Sequence, residues 1–164
     1  MKRIIKRALA CVLCVSLVFC LFGCGKEYSC ENFTVYDEGL KAVELEDYIG
    51  KPIVINFWAT WCYYCKVEMP DFEEAYREHD DIVFMMVNCT DGERETVEIA
   101  SAFIEEQGYT FPVYYDIDCE ATDKYEISSY PTTFFIDKNG DVVKKHVGMI
   151  VPALLDIYIG LIEE

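Results

Sequence analysis

Two cysteines at the junction of an apolar strand and a helix constrain this chain more than any other feature. The run Trp61-Cys62-Tyr63-Tyr64-Cys65 follows Ile53-Val54-Ile55-Asn56-Phe57-Trp58, which reads as a buried strand. It precedes a stretch, from about Tyr63 to Glu78, that reads as a helix. A C-x-x-C pair in that setting is placed for reversible dithiol/disulfide chemistry. Only a thiolate attacks a disulfide, and the start of a helix favours the thiolate on the first cysteine.

The rest of the chain supplies a fold around that junction. Its 164 residues fit one domain with ample apolar content for a core. Phe33-Thr34-Val35 and Val43-Glu44-Leu45 read as short strands. Ile82 to Val87 is a continuous apolar run, as expected of a strand covered on both faces. Glu93 to Gln107 has helical spacing and Gly108 ends it. Phe111 to Tyr115 reads as a strand, Cys119 to Tyr125 as a short helix, and Thr132 to Ile136 as a strand. The turn Lys138-Asn139-Gly140-Asp141 leads to a partner strand, Val142 to Val147. A helix from Pro152 to Ile162 closes the chain, with proline in its first turn. Pro70 lies inside the first long helix, where a kink is expected. Strands alternating with helices give an α/β sandwich with a mixed sheet.

Residues 1–24 read as a leader. Lys2, Arg3, Lys6 and Arg7 precede an apolar run from Ala8 to Phe22, shorter than a spanning helix needs. The end of that run, Leu21-Phe22-Gly23-Cys24, resembles a bacterial lipoprotein box, which implies lipidation of Cys24. Residues 25–32 then form a tether and 33–164 the domain. Removing the four leader cations from the formal charge of -16 leaves about -20. That balance argues against nucleic acid, which needs a basic footprint, and against adsorption to anionic lipid. Of nine cysteines, Cys11, Cys14 and Cys20 would leave with the leader. Cys30, Cys62, Cys65, Cys89 and Cys119 would remain in a compartment where disulfides persist. Cys89 and Cys119 each follow a strand at one end of the sheet, so a structural bridge between them stands beside two free thiols. Cys30 stays free or pairs with another molecule. His79 and His146 are too sparse for a metal site, and no zinc spacing exists outside the leader.

The run Phe57 to Cys65, together with Ser129-Tyr130-Pro131-Thr132-Thr133-Phe134, closely resembles the thioredoxin fold from about residue 33 onward. The resemblance implies a cis Pro131 facing the dithiol, with Tyr130 and Pro131 helping to dock a substrate chain. The long connection from Val87 to Pro131 has room for an extra helix and strand before that proline. This is the pattern of the membrane-tethered TlpA/ResA-like reductases, which the chain resembles. Their pattern also has a glutamate three residues after the second cysteine, and Glu68 stands there. Asn56 occupies the place of the buried aspartate of cytoplasmic thioredoxins, so Glu68 is the candidate proton carrier. Residues three apart share a helix face, so Glu68 can lie beneath Cys65. The neighbouring acids Asp71, Glu73, Glu74 and Glu78 read as solvated helix carboxylates.

The resemblance implies the following chemistry. Cys62 attacks a client disulfide and Cys65 resolves the mixed disulfide. Trp61 shields the site, and Tyr63 and Tyr64, which replace the common third-position proline motif, bear on client contact and redox potential. A membrane electron carrier re-reduces the dithiol, and no cofactor is called for. The clients are protein thiols and disulfides, as in cytochrome c maturation or electron supply to methionine sulfoxide reduction and peroxide defence. The rival readings are a thiol peroxidase of the peroxiredoxin-related class and a non-catalytic thioredoxin-fold binding lipoprotein. The first lacks its P-x-x-x-T-x-x-C setting at Cys62, and the second leaves the intact Cys62/Cys65 pair and Pro131 without a use.

Overall fold

A computed structural model describes residues 30–163. Cys24, and with it the leader and most of the tether, lies outside the described residues. A seven-stranded mixed sheet runs through the domain in the order β2-β1-β5-β4-β3-β6-β7. The strands are β1 (Thr34–Tyr36), β2 (Ala42–Glu44), β3 (Ile53–Trp58), β4 (Val83–Asn88), β5 (Val113–Tyr115), β6 (Thr132–Ile136) and β7 (Val142–Val147). The helices are α1 (Tyr63–Glu78), α2 (Val97–Gln107), α3 (Glu120–Lys124) and α4 (Pro152–Ile162). Strands β3, β4 and β5 are parallel, whereas β6 lies antiparallel to β3 and β7 antiparallel to β6. This is the mixed α/β sheet the sequence implied, with α2 and β5 inserted before Pro131.

Period-two alternation divides β3 between two cores. Ile53, Ile55 and Phe57 face one side with Phe33, Leu45, Met85 and Tyr125. Val54 and Trp58 face the other, against α1, α2 and α4 through Met69, Phe72, Ile104, Leu155 and Ile159. Asn56 shares the face of Val54 and Trp58 and is buried there. The sheet therefore carries a buried polar side chain on the face that packs against α1.

The long elements match the apolar pattern, and the boundaries differ where side chains compete for backbone groups. Helix α2 begins at Val97, not Glu93, because Asp91 Oδ1 accepts the amides of Glu93, Arg94 and Glu95 at 2.9, 2.7 and 2.8 Å. Thr96 then caps the helix through its hydroxyl. At the other end Gly108 takes a φ of 72°, the left-handed conformation that suits glycine. Strand β5 begins at Val113, since the Phe111 amide bonds Glu73 and Pro112 has no amide to give. Helix α1 continues through Pro70 to Glu78.

Candidate active site: the Cys62–Cys65 disulfide and its surroundings

Strand β3 ends at Trp58, and four residues later α1 begins with Cys62 as its N-cap. Cys62 and Cys65 are joined in a disulfide with a Cα separation of 5.3 Å. The Cys65 amide donates to Cys62 Sγ at 3.1 Å. The first turn of α1 holds no acidic residue. In the reduced state the same amide and the helix dipole stabilise a thiolate at position 62. Cys62 retains 6 % of its surface and Cys65 none, so the first sulfur is the one a partner can reach, through a narrow opening.

Beneath the disulfide lies a buried carboxylate. Glu68 sits one turn beyond Cys65 and is 1 % exposed. Its Oε1 accepts from Asn56 Nδ2 at 2.8 Å, and its Oε2 accepts from the Ile150 amide at 2.8 Å. Asn56 Nδ2 also donates to Thr133 Oγ1 at 3.0 Å, as the register Asn56↔Thr133 requires. Burial pushes the Glu68 carboxyl up to about 7, against the pull of the Ile150 and Asn56 hydrogen bonds and with help from Asp71. Asn56 and Thr133 can each donate or accept. The network therefore suits a carboxylate and, with the amide turned over, a neutral acid.

Around the opening stands an aromatic rim. Trp61 is partly exposed and meets the Tyr130 ring edge-on at 5.5 Å. The Tyr130–Pro131 bond is cis, and the Pro131 carbonyl accepts the Gly148 amide. Tyr63 and Tyr64 are strongly exposed and pack on each other at 5.5 Å. Val67 is exposed one turn further along α1.

Two carboxylates that look ordinary in the sequence support this site. Glu95 is fully buried, and its Oε1 accepts from the Thr60 amide at 2.8 Å and from Asn88 Nδ2 at 2.6 Å. Its Oε2 accepts from the Thr60 hydroxyl at 2.7 Å. Its neighbour Arg94 lies over the Trp61 ring at 4.1 Å. The turn after β4 thus grips the loop that carries Cys62 from two sides. Glu73, expected to be solvated, is instead buried. It accepts from the Thr110 amide and hydroxyl at 2.8 and 2.6 Å, from the Phe111 amide at 3.2 Å, and pairs with Arg77 at 2.8 Å. Burial pushes Glu73 up, but these donors outweigh it and hold the carboxyl below its usual value. The only sequence signal for either was an acid within a segment that also had to pack.

The bridge considered between Cys89 and Cys119 is not formed; both thiols are free. Cys89 is buried, accepts from the Thr122 hydroxyl at 3.6 Å, and lies against the Tyr130 hydroxyl. Burial pushes its thiol up to about 12. Cys119 is exposed and holds a left-handed φ of 58° at the start of α3. Cys30 is half-buried and free. His79 contacts Glu163, and His146 contacts the Met149 carbonyl, both at the surface.

A family profile described as AhpC/TSA matches residues 27–145. The chain is 34 % identical to the thiol-disulfide oxidoreductase ResA of Bacillus subtilis, over 94 % of this chain and 88 % of the relative. This chain belongs to the AhpC/TSA family, among its ResA-type thiol-disulfide oxidoreductases. Solved structures agree. The pneumococcal exposed lipoprotein thioredoxin Etrx1 of Streptococcus pneumoniae superposes with a TM-score of 0.70 at 30 % identity, covering 80 % of this chain and 99 % of that one. StoA of Bacillus subtilis gives 0.68 at 25 % identity, covering 78 % and 96 %. The protein is a thiol-disulfide oxidoreductase, and the Cys62–Cys65 pair is the dithiol that the fold presents at the position such chemistry needs.

Proposed function

We propose that this ResA-type protein is an extracytoplasmic, lipid-anchored protein-disulfide reductase. Cys62 is its attacking sulfur and Cys65 its resolving sulfur. The observation that carries the reading is Glu68, a buried carboxyl one turn from Cys65 and poised near neutral pH. The reduced enzyme attacks a client disulfide through the Cys62 thiolate, forming a mixed disulfide and releasing one client thiol. Cys65 then gives up its proton to Glu68 and attacks Cys62. The second client thiol leaves and the Cys62–Cys65 disulfide described above is restored. Re-reduction by a membrane electron carrier runs the same steps backward, and Glu68 returns the proton.

Trp61, Tyr63, Tyr64, Tyr130 and Pro131 form the docking surface. The exposed rings of Trp61, Tyr63 and Tyr64 supply apolar area next to the opening at Cys62, with Tyr130 half-buried and Pro131 buried behind them. Lipidation at Cys24 supplies the anchor. The clients that fit are extracytoplasmic proteins needing reduced thiols. One is an apocytochrome c before haem attachment; another is a methionine sulfoxide reductase or peroxide-removing enzyme drawing electrons outside the cell.

The experiment is a Cys65→Ala variant expressed with its native leader. Its mixed disulfides cannot be resolved, so client proteins accumulate on Cys62 and are named by mass spectrometry. Insulin reduction is expected to be abolished in Cys62→Ser. A chain that captures no protein, or reduces insulin without Cys62, overturns the reading. The family description keeps one rival in view, direct peroxidase activity. Against it, Thr60 stands two residues before Cys62 instead of three, and its hydroxyl is bound to Glu95. Hydroperoxide turnover without a protein client would favour that rival.

A further inference from the structure

We propose that Cys89 is a positioning residue for client docking: its sulfur pins the Tyr130 hydroxyl from inside the domain and so fixes the Tyr130 and Trp61 rings before a client arrives. The proposal rests on the reading of the aromatic rim as the docking surface. Cys89 directly follows β4, and its amide donates to the Trp58 carbonyl at 2.9 Å, so the pairing of β3 with β4 runs one residue further. Period-two alternation then places Cys89 on the sheet face of Met85 and Val87, where it is buried. Asp116, just past β5, is buried as well. Its Oδ2 accepts the Thr122 amide at 2.7 Å and the Thr122 hydroxyl at 2.5 Å, which locks Thr122 in place. The same hydroxyl meets Cys89 Sγ at 3.6 Å. The Tyr130 hydroxyl donates to that sulfur too. Burial pushes the thiol up to about 12, so it stays protonated at neutral pH and holds Tyr130 without entering disulfide exchange.

Asn88 and Cys89, neighbours in the chain, thus hold two sides of the site. Asn88 Nδ2 binds Glu95, which holds Thr60 and the loop that carries Trp61 and Cys62. Cys89 binds Tyr130, the residue before the cis Pro131. The edge-on contact of Trp61 with Tyr130 at 5.5 Å closes the ring. Without the sulfur, the Tyr130 side chain is held by ring packing alone and has to be ordered as a client docks. Ordering one such side chain on binding costs about fivefold in affinity. The exchange step is spared, because Cys62 and Cys65 pack in the core on the opposite face of the sheet from Cys89.

The test sets a protein client against a small disulfide that needs no docking surface. The full chain is assayed on insulin, with dithiothreitol as the reductant. The reduced protein is also mixed with hydroxyethyl disulfide, which is released as mercaptoethanol while the Cys62–Cys65 disulfide closes. Cys89→Ala is expected to raise KM for insulin about fivefold, with kcat and the hydroxyethyl disulfide rate within about twofold of the parent. Cys89→Ser keeps an acceptor and is expected to return KM to within about twofold. Tyr130→Phe removes the hydroxyl that Cys89 holds and is expected to match Cys89→Ala. It leaves Cys89 in place, so it carries the test even where Cys89→Ala fails to fold. Adding Cys89→Ala to Tyr130→Phe is expected to raise KM no further. An unchanged KM in Cys89→Ala or Tyr130→Phe, a full second rise in the double variant, or an equal slowing with hydroxyethyl disulfide overturns the proposal alone. An unchanged insulin KM in Trp61→Ala and in Tyr63→Ser with Tyr64→Ser overturns the rim as a docking surface and removes the proposal with it.

Discussion

At the scale of single residues, buried carboxylates organise this site, and each makes a distinct prediction. Glu68 is neutral below its ordinary value of 4.5 and titrates near 7 in the fold. A raised folded pKa gives stability that is full below about pH 4.5 and is lost as pH rises through 7. At 1.36 kcal/mol per pKa unit that loss is about 3 kcal/mol. Glu68→Gln keeps a neutral group at every pH. In denaturant titrations of the oxidised protein it should therefore match the parent near pH 4 and exceed its stability by up to about 3 kcal/mol at pH 8. The resolving step should behave oppositely. Its rate rises through pH 7 as the Glu68 base forms, and Glu68→Gln should lose that inflection in single-turnover kinetics. A variant with an unchanged rate profile would leave Glu68 a structural residue only. Glu95 makes a different prediction. In Glu95→Gln the new amide can occupy the Oε2 position and donate to the Thr60 hydroxyl while the remaining oxygen keeps the Thr60 and Asn88 donors. Its turnover should stay within about threefold of the parent, since the Thr60 and Asn88 amides keep their acceptor and the Thr60 hydroxyl turns from donor to acceptor. Glu95→Ala strands the half-buried Thr60 amide and the buried Asn88 amide, and should lower insulin-reduction kcat/KM by at least about tenfold with a melting temperature reduced by several degrees. Equal effects of the two substitutions would show that hydrogen bonding to Thr60 is not what Glu95 supplies.

At the scale of elements, the inserted α2–β5 unit is fastened to the catalytic helix by Glu73 and to the catalytic loop by Glu95. Glu73 on α1 receives three donors from Thr110 and Phe111, the residues that lead into β5. Glu73→Ala should destabilise the domain by about 2–4 kcal/mol, because it leaves two amides without acceptors beneath α1. Thr110→Val removes only the hydroxyl and should cost about 1 kcal/mol. The double variant should fall short of the sum, and full additivity in denaturant melts would argue against a shared network. These clamps also show what the sequence made legible. The apolar runs of β3 and β4 pack on both faces, so their composition alone marks them. Likewise, the dithiol and the Tyr130–Pro131 turn carry local signatures. Glu73 and Glu95 carry none, because their partners Thr110 and Thr60 lie 37 and 35 residues away in the chain. Glu93–Glu95 looked helical because a turn built on Asp91 uses the same charged residues as a first helical turn. Glu68 was legible only because its spacing from Cys65 repeats a family pattern; its burial is a product of tertiary packing against Asn56 and Ile150.

At the scale of the whole molecule, an acidic body presents an aromatic opening. The formal charge of -16 includes Lys2, Arg3, Lys6 and Arg7, which precede the described residues, so the domain itself is more acidic than the chain. Yet the immediate rim is mixed: Arg94 covers Trp61 and Lys66 stands on α1, while Asp91 and Glu93 lie in the turn behind. A short-range contact at Cys62 is thus set by rings, and long-range approach by the negative field. The two ranges separate in salt. Two disulfide-linked peptides that share an aromatic segment beside the disulfide but differ in flanking charge would isolate the field. The cationic peptide should be reduced about tenfold faster than the anionic one at low ionic strength, as steering by a charged surface predicts. The Debye length is only about 3 Å at 1 M salt, so the two second-order rate constants should converge there. Tyr63→Ser with Tyr64→Ser should slow both peptides alike at every salt concentration, since the rings act only after encounter. If the cationic advantage persisted in high salt, specificity would lie in a direct ion pair at the rim, and the field of the whole molecule would have no part in choosing clients.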